Sequence, residues 1–291
     1  MNKFTIASVA VATALLAGCG GSSSSSGDKD LDLPTGGEAE VCFNPTLWED
    51  GTHEVTWRYD NDAYSTERLV ITNGVDFDEH KSITQVESVY AYSETPLGSE
   101  VEAKSRRAQQ SRSGQWTSSN FYVIDEQSTS VSYAGDMESN GVDFDSDVNS
   151  PAAPLWLFGS KEGETTPASY TTTWIEIEDG QEFRYTWGQS KRSVTFNGLD
   201  KVDVLGNEVN ACSFTIKTTT DAEFEGEAET MTETLEHWID KETGLLVKSV
   251  TLEEGVDIDG SWSDYEEKVL EQYSIDGEVI FSTEDEELPE A

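Results

Sequence analysis

Apolar residues at every second position, in short runs broken by turn residues, recur along this chain from Glu54 onward. A period of two sends alternate side chains to opposite faces of an extended backbone, so such runs make half-buried strands. Val55, Trp57 and Tyr59 alternate with Thr56 and Arg58, and Arg68–Ile71, Val86–Tyr92, Phe121–Ile124 and Val131–Tyr133 continue in the same style. The clearest hairpin joins Trp174–Glu178 to Gln181–Trp187 through Asp179-Gly180, because both turn positions tolerate positive φ. Further turns are expected at Asn197-Gly198, at Leu205-Gly206-Asn207 and at Lys241–Gly244. Glu227–Asp240 holds good helix formers, yet Thr230, Thr232 and Thr234 alternate and a turn follows, so it reads as a strand. Tyr265, Val269 and Leu270 have helical spacing, which predicts some helix over Asp264–Gln272. The fold class is therefore all-β, an antiparallel sheet with little helix. Alternation leaves barrel, half-barrel and sandwich open.

The chain divides into residues 1–18, a leader; 19–40, a Ser/Gly linker; 41–283, a β-rich domain; and 284–291, an acidic tail. About 250 residues is long for one domain but within the range of single barrels and sandwiches. With 8 Trp, 10 Tyr and 11 Phe the apolar content suffices for a core of that size. The 58 acidic against 18 basic residues give a net charge of −40, which opposes nucleic acid or anionic headgroups as partners. Acids spread over the surface suit a protein in salty water, where screening weakens self-repulsion.

The leader has Lys3, a short apolar run from Phe4 to Leu16, and small residues before Cys19, the form of an export signal. Spanning a bilayer takes about 20 apolar residues, so this run is too short to remain as an anchor. Leu16-Ala17-Gly18-Cys19 closely resembles the lipobox of bacterial lipoproteins. The resemblance implies diacylglyceryl on the Cys19 sulfur, cleavage before it, and a lipid-anchored protein of the cell envelope. Asp after the lipidated cysteine favours inner-membrane retention in that pattern, and Gly20 stands here, which points to the outer membrane. Residues 20–40, with Ser22–Ser26, form a flexible tether with a reach of about 25 Å.

Cys42 and Cys212 remain, an even pair in an oxidising compartment, and are expected to form a disulfide; two buried thiols are the alternative. Closing a loop of about 170 residues is worth about 5 kcal/mol in the chain-entropy view.

Trp238–Lys248 resembles a hairpin common near the C-terminus of bacterial envelope proteins, similar to uncharacterised β-rich periplasmic domains and to the half-barrel of lipoprotein carriers. Asn210–Phe214 is also similar to the uncharacterised group. For the carriers the resemblance implies a cavity for acyl chains. The motif is mostly turn chemistry and specifies a hairpin better than an activity.

His53, His80 and His237 are scattered, and no H-E-x-x-H, G-x-S-x-G, P-loop or C-x-x-C occurs. No catalytic, cofactor or metal set is assigned, and a binding or structural role is expected ahead of an enzymatic one. Asn73–Asp78 recurs as Asn140–Asp145, with a near copy at Gly255–Gly260. Asp143, Asp145, Asp147 and Asn149 have calcium-loop spacing, but Val148 and Pro154 depart from that loop. The plainer reading is acidic turns. Exposed tryptophans could instead stack on glycan rings, although Trp57, Trp174 and Trp187 sit in strands with apolar neighbours. The ligand classes left open are lipid, glycan and protein.

Overall fold

A computed structural model describes residues 38–60, 63–77, 80–93, 105–117, 120–134, 137–138, 143–178, 181–224, 227–257 and 260–283. Two 3-10 turns, Glu38–Cys42 and Pro45–Trp48, come first. The strands follow as β1 (Gly51–Tyr59), β2 (Tyr64–Phe77), β3 (His80–Ser93), β4 (Ser105–Thr117), β5 (Asn120–Ala134), β6 (Met137–Glu138) and β7 (Asp143–Leu157). Then come β8 (Thr165–Glu178), β9 (Gln181–Val204), β10 (Asn207–Phe224), β11 (Glu227–Asp240), β12 (Leu246–Asp257), β13 (Gly260–Ile275) and β14 (Glu278–Ser282). The alternating sequence has become an all-β chain.

Neighbours in sequence pair antiparallel in one sheet, with the two-residue β6 set against β5 and skipped by the main path. The ladder returns to its beginning, because β1 pairs with β2 on one edge and with β13 on the other. One face is thereby enclosed. β14 takes over the side of β13 that β12 leaves beyond Val269.

One end of the enclosed face is plugged by the N-terminal segment. Ala39 N–H donates to the Ser160 carbonyl (3.2 Å). Asn44 Nδ2 donates to the Thr243 carbonyl (2.7 Å), and Asn73 Nδ2 to that of Trp48 (2.7 Å). Asn44 also caps the second 3-10 turn, its Oδ1 accepting from Thr46 N–H (3.2 Å), with Pro45 where no donor is required. Gly244 allows this docking: its φ is +79°, and a Cβ there would lie 2.5 Å from that of Asn44. The disulfide Cys42–Cys212 staples the segment to β10, with both cysteines buried.

Aromatic rings fill the plugged end. Trp48 lies 5.6 Å from Phe121 and 5.9 Å from Trp156, while Phe214 packs against Phe158 (5.7 Å) and Phe196 (5.2 Å). β7 supplies much of this because its pairing with β8 ends at Ser150. Pro151 and Pro154 lack the N–H a second neighbour would need, and the chain from Ala153 to Phe158 runs buried through the core.

Two sequence expectations are corrected. Asp264–Gln272 lies wholly in β13, since β12 pairs with it as far as Val269 and β1 takes over from Lys268. Its apparent helical spacing mixes faces: Tyr265 is exposed and Leu270 buried. Asn197-Gly198 is a bulge inside β9, where Gly198 has φ +110° and the β9–β10 register shifts. Asn197 is the residue the β9–β10 pairing skips, and its side chain bridges to β10 instead, Nδ2 donating to Ser213 Oγ (3.2 Å) and Thr215 Oγ1 (2.9 Å). The turns at Leu205-Gly206 and Lys241–Thr243 occur as expected, and Thr230–Ile239 is strand. Asp179-Gly180 and residues 284–291 lie outside the described residues, although the strands flanking Asp179-Gly180 pair as expected.

Replacing Cys212 by Ala, or reducing the disulfide, is expected to destabilise the domain by about 2–5 kcal/mol through release of the long loop. Thermal melts of oxidised, reduced and C212A protein check it, and coincident curves would remove the staple from the account.

Candidate functional site

The enclosed face changes character along the strands. On β10 the inward series runs Cys212, Phe214, Ile216, Thr218, Thr220, from the plugged end outward. A chain of buried hydroxyls crosses four strands at the polar level: Thr172 Oγ1 donates to Asn149 Oδ1 (3.1 Å), and Ser190 Oγ lies 3.3 Å from Thr172 Oγ1 and 2.9 Å from Thr220 Oγ1. Arg192 joins it, donating Nε to Thr218 Oγ1 (2.8 Å) with its guanidinium over the Tyr170 ring. Buried polar groups are tolerated there because they satisfy one another.

On β11, β12 and β13 the same face carries charge. Direct partners form four rows in register: His237, Ser249 and Lys268; Leu235, Thr251 and Glu266; Glu233, Glu253 and Asp264; Met231, Gly255 and Trp262. The first row is buried and the third passes from half-buried Glu233 through buried Glu253 to exposed Asp264. Lys268 is 4 % exposed, with its Nζ over the Trp57 ring (5.3 Å to the centroid) and 3.9 Å from Glu266 Oε1. Burial, then the charges of Glu233, Asp264 and Glu266, pushes Glu253 up from 4.5 to about 7. Burial likewise raises Glu266, against the opposing pull of Lys268. Like charges directly opposite on neighbouring strands repel. This strip brings three carboxylates into one cross-strand row.

The two buried histidines are committed to the core. Trp156 Nε1–H donates to His237 Nδ1 (3.1 Å). His53 Nδ1 lies 2.6 Å from Tyr273 Oη. Burial lowers His53 to about 4, partly offset by Asp276, and burial, then Glu67, raises Tyr273 well above 10. At neutral pH both are uncharged, and the tyrosine donates to the imidazole.

The other sequence candidates separate clearly. Cys19 and residues 20–37 of the expected tether lie outside the described residues; Glu38–Glu40, its last three, belong to the first 3-10 turn with Ala39 buried, and Cys42 and Cys212 are joined. Asn73-Gly74 forms an irregularity within β2: Asn73 N–H donates to Asp50 Oδ1 (2.8 Å), Thr84 Oγ1 donates to Asn73 Oδ1 (2.7 Å), and Gly74 has φ +73°. Asp143–Asn149 is extended strand, paired on both edges from Phe144 to Val148, not a calcium-type loop. Among the described residues no group of three or more His, Cys, Asp or Glu could hold a metal ion. Trp57 is core as expected, Trp262 is 38 % exposed, and the side chains of Trp174 and Trp187 lie outside the described residues. The acidic strip went unread in the sequence. Its one signal is Glu233 at an inward position between Met231 and Leu235.

No family model and no curated protein matches this chain. A solved structure, the hypothetical lipoprotein YmcC from Escherichia coli (K12), is similar over 85 % of this chain and 90 % of its own, at 9 % identity and a TM-score of 0.26. A superposition that loose carries no argument from one protein to the other.

The proton on Glu253 sets a pH dependence. The folded group holds it to about pH 7 and the unfolded group releases it near 4.5, so the associated stability is complete below 4.5 and lost as pH rises through 7. Glu253→Gln should therefore flatten the fall in melting temperature between pH 5 and pH 8. At pH 8 it should melt higher than wild type by roughly 2–4 °C, the equivalent of about 1 kcal/mol at this size. Parallel melting profiles for the two proteins would contradict the assignment.

Proposed function

We propose that this chain is a lipoprotein of the cell envelope, acylated on Cys19, whose all-β domain works by binding rather than by catalysis. The observation that carries the reading is the attachment of the N-terminal segment: the chain enters the described domain at Glu38 and is stapled through Cys42 into one end of the sheet. A tether arriving from Cys19 meets the domain at its plugged end. The strand ends at Tyr59, Ser93, Glu178, Phe224 and Asp257 lie at the opposite end and would face away from the membrane. That arrangement suits a surface offered to a ligand or partner. The leader, the lipobox resemblance and Gly20 support placement at the outer membrane.

The chemistry on the enclosed face fits the same reading. His53 and His237, the residues first to be asked about acid–base work, are 1 % exposed and engaged with Tyr273 and Trp156. An acyl-chain carrier is less favoured at the plugged end. The cavity there, lined by residues including Phe43, Trp48, Trp156, Phe158 and Leu246, measures about 10 Å³, about one water rather than a lipid tail.

Growth with labelled palmitate tests the anchor. Wild-type protein should carry label and sediment with outer membranes on a density gradient, while Cys19→Ser should be unlabelled and leave the membrane fraction. Label on the serine variant, or none on wild type, would end the proposal.

A further inference from the structure

The acidic strip on β11–β13 has a composition that goes beyond a solvated face. Glu253 is 7 % exposed and makes no hydrogen bond or ion pair among the described residues, yet it sits directly between Glu233 and Asp264. Further along the same face Ser249 Oγ is buried without a partner. On the other side Trp262 lies across Gly255: a Cβ built on that glycine would come 2.4 Å from the indole ring, so only hydrogen at this position lets the ring lie flat. Met231 is the other direct neighbour of Gly255. The carboxylates thus stand between an aromatic ring and, two rows deeper, the ammonium of Lys268.

We propose that this strip binds an organic ligand carrying two or more primary ammonium groups, held by Glu233, Glu253 and Asp264 with the Trp262 ring against its carbon skeleton. Neighbouring strands are about 4.8 Å apart, so the three carboxylates form a line that linked ammonium groups can follow. Removal from water strengthens each pairing, and the indole face attracts a cation or packs on the methylenes beside it. Thr251, in the adjacent row, adds a hydroxyl. Lys268 fixes how deep the ligand goes, because its own charge repels an ammonium from the inner row. A bare metal ion gains less here, since the carboxylates are spread across three strands and do not converge. The proposal specifies the ligand of the binding domain put forward above and rests on that reading.

Calorimetry on the mature, lipidated protein in detergent tests it. Spermidine and a glucosamine disaccharide are the two probes, with the N-acetylated disaccharide and magnesium at matched ionic strength as controls. Saturable binding is expected for at least one amine and for neither control, and which amine binds separates a polyamine from an amino-sugar ligand. Glu233→Gln with Glu253→Gln should weaken it at least tenfold, while Glu54→Gln with Glu236→Gln, an equal charge change at exposed positions, should leave it unchanged. Trp262→Leu, which changes no charge, should weaken it several-fold. Equal losses in the two double variants, no loss in W262L, or the absence of saturable binding would overturn the proposal. Palmitate labelling reads the anchor independently, so a failure here is distinct from a failure there.

Discussion

The enclosed end of this sheet exists because aromatic rings fill it. A ring of strands this wide cannot be spanned by aliphatic side chains alone. Trp48 from the N-terminal turns meets Phe121 from β5 and Trp156 from β7, while Phe158, Phe196 and Phe214 complete the fill around the disulfide. Each tryptophan brings an N–H into a dry interior, where an unmet donor costs about 1–3 kcal/mol. His237 Nδ1 accepts that of Trp156. One contact thus serves both the packing and the indole N–H of Trp156.

From that end the character of the inward face changes by steps. Hydroxyls bonded to one another line β7 to β10, and charged groups line β11 to β13. Hydroxyls can satisfy one another in rows, but opposed carboxylates cannot, so the two walls differ in what they demand of a neighbour. A wall that repels itself gains from a cationic partner, and a satisfied one does not. One wall is therefore held together by shared hydrogen bonds, and the other sets Glu233, Glu253 and Asp264 side by side.

Much of the architecture was legible in the residue pattern. Alternation gave the strands, the Lys241–Gly244 turn was correctly placed, and the disulfide joins the two cysteines expected to pair. The misreadings share one cause: register is a property of pairs of strands. Asn197-Gly198 has the chemistry of a turn, but Asn197 finds Ser213 and Thr215 across the ladder and the strand continues past it. Tyr265, Val269 and Leu270 look helical until two neighbouring edges claim their backbone. The acidic strip is harder still to foresee, because Glu233, Glu253 and Asp264 are remote in sequence and become neighbours only when three strands align. The proposed acylation at Cys19 is the opposite case, since its support lies entirely in local sequence.

The staple at Cys42 also decides how the domain would respond to being pulled. Tension arriving through the chain ahead of Glu38 can unravel the first 3-10 turn but stops at Cys42, where the covalent link hands it to β10. At Cys212 that strand is flanked on both sides, by Leu199 of β9 and Ile239 of β11. Load therefore enters at an interior strand rather than at a free edge. Its ladder bonds must yield together in shear instead of opening singly like a zipper.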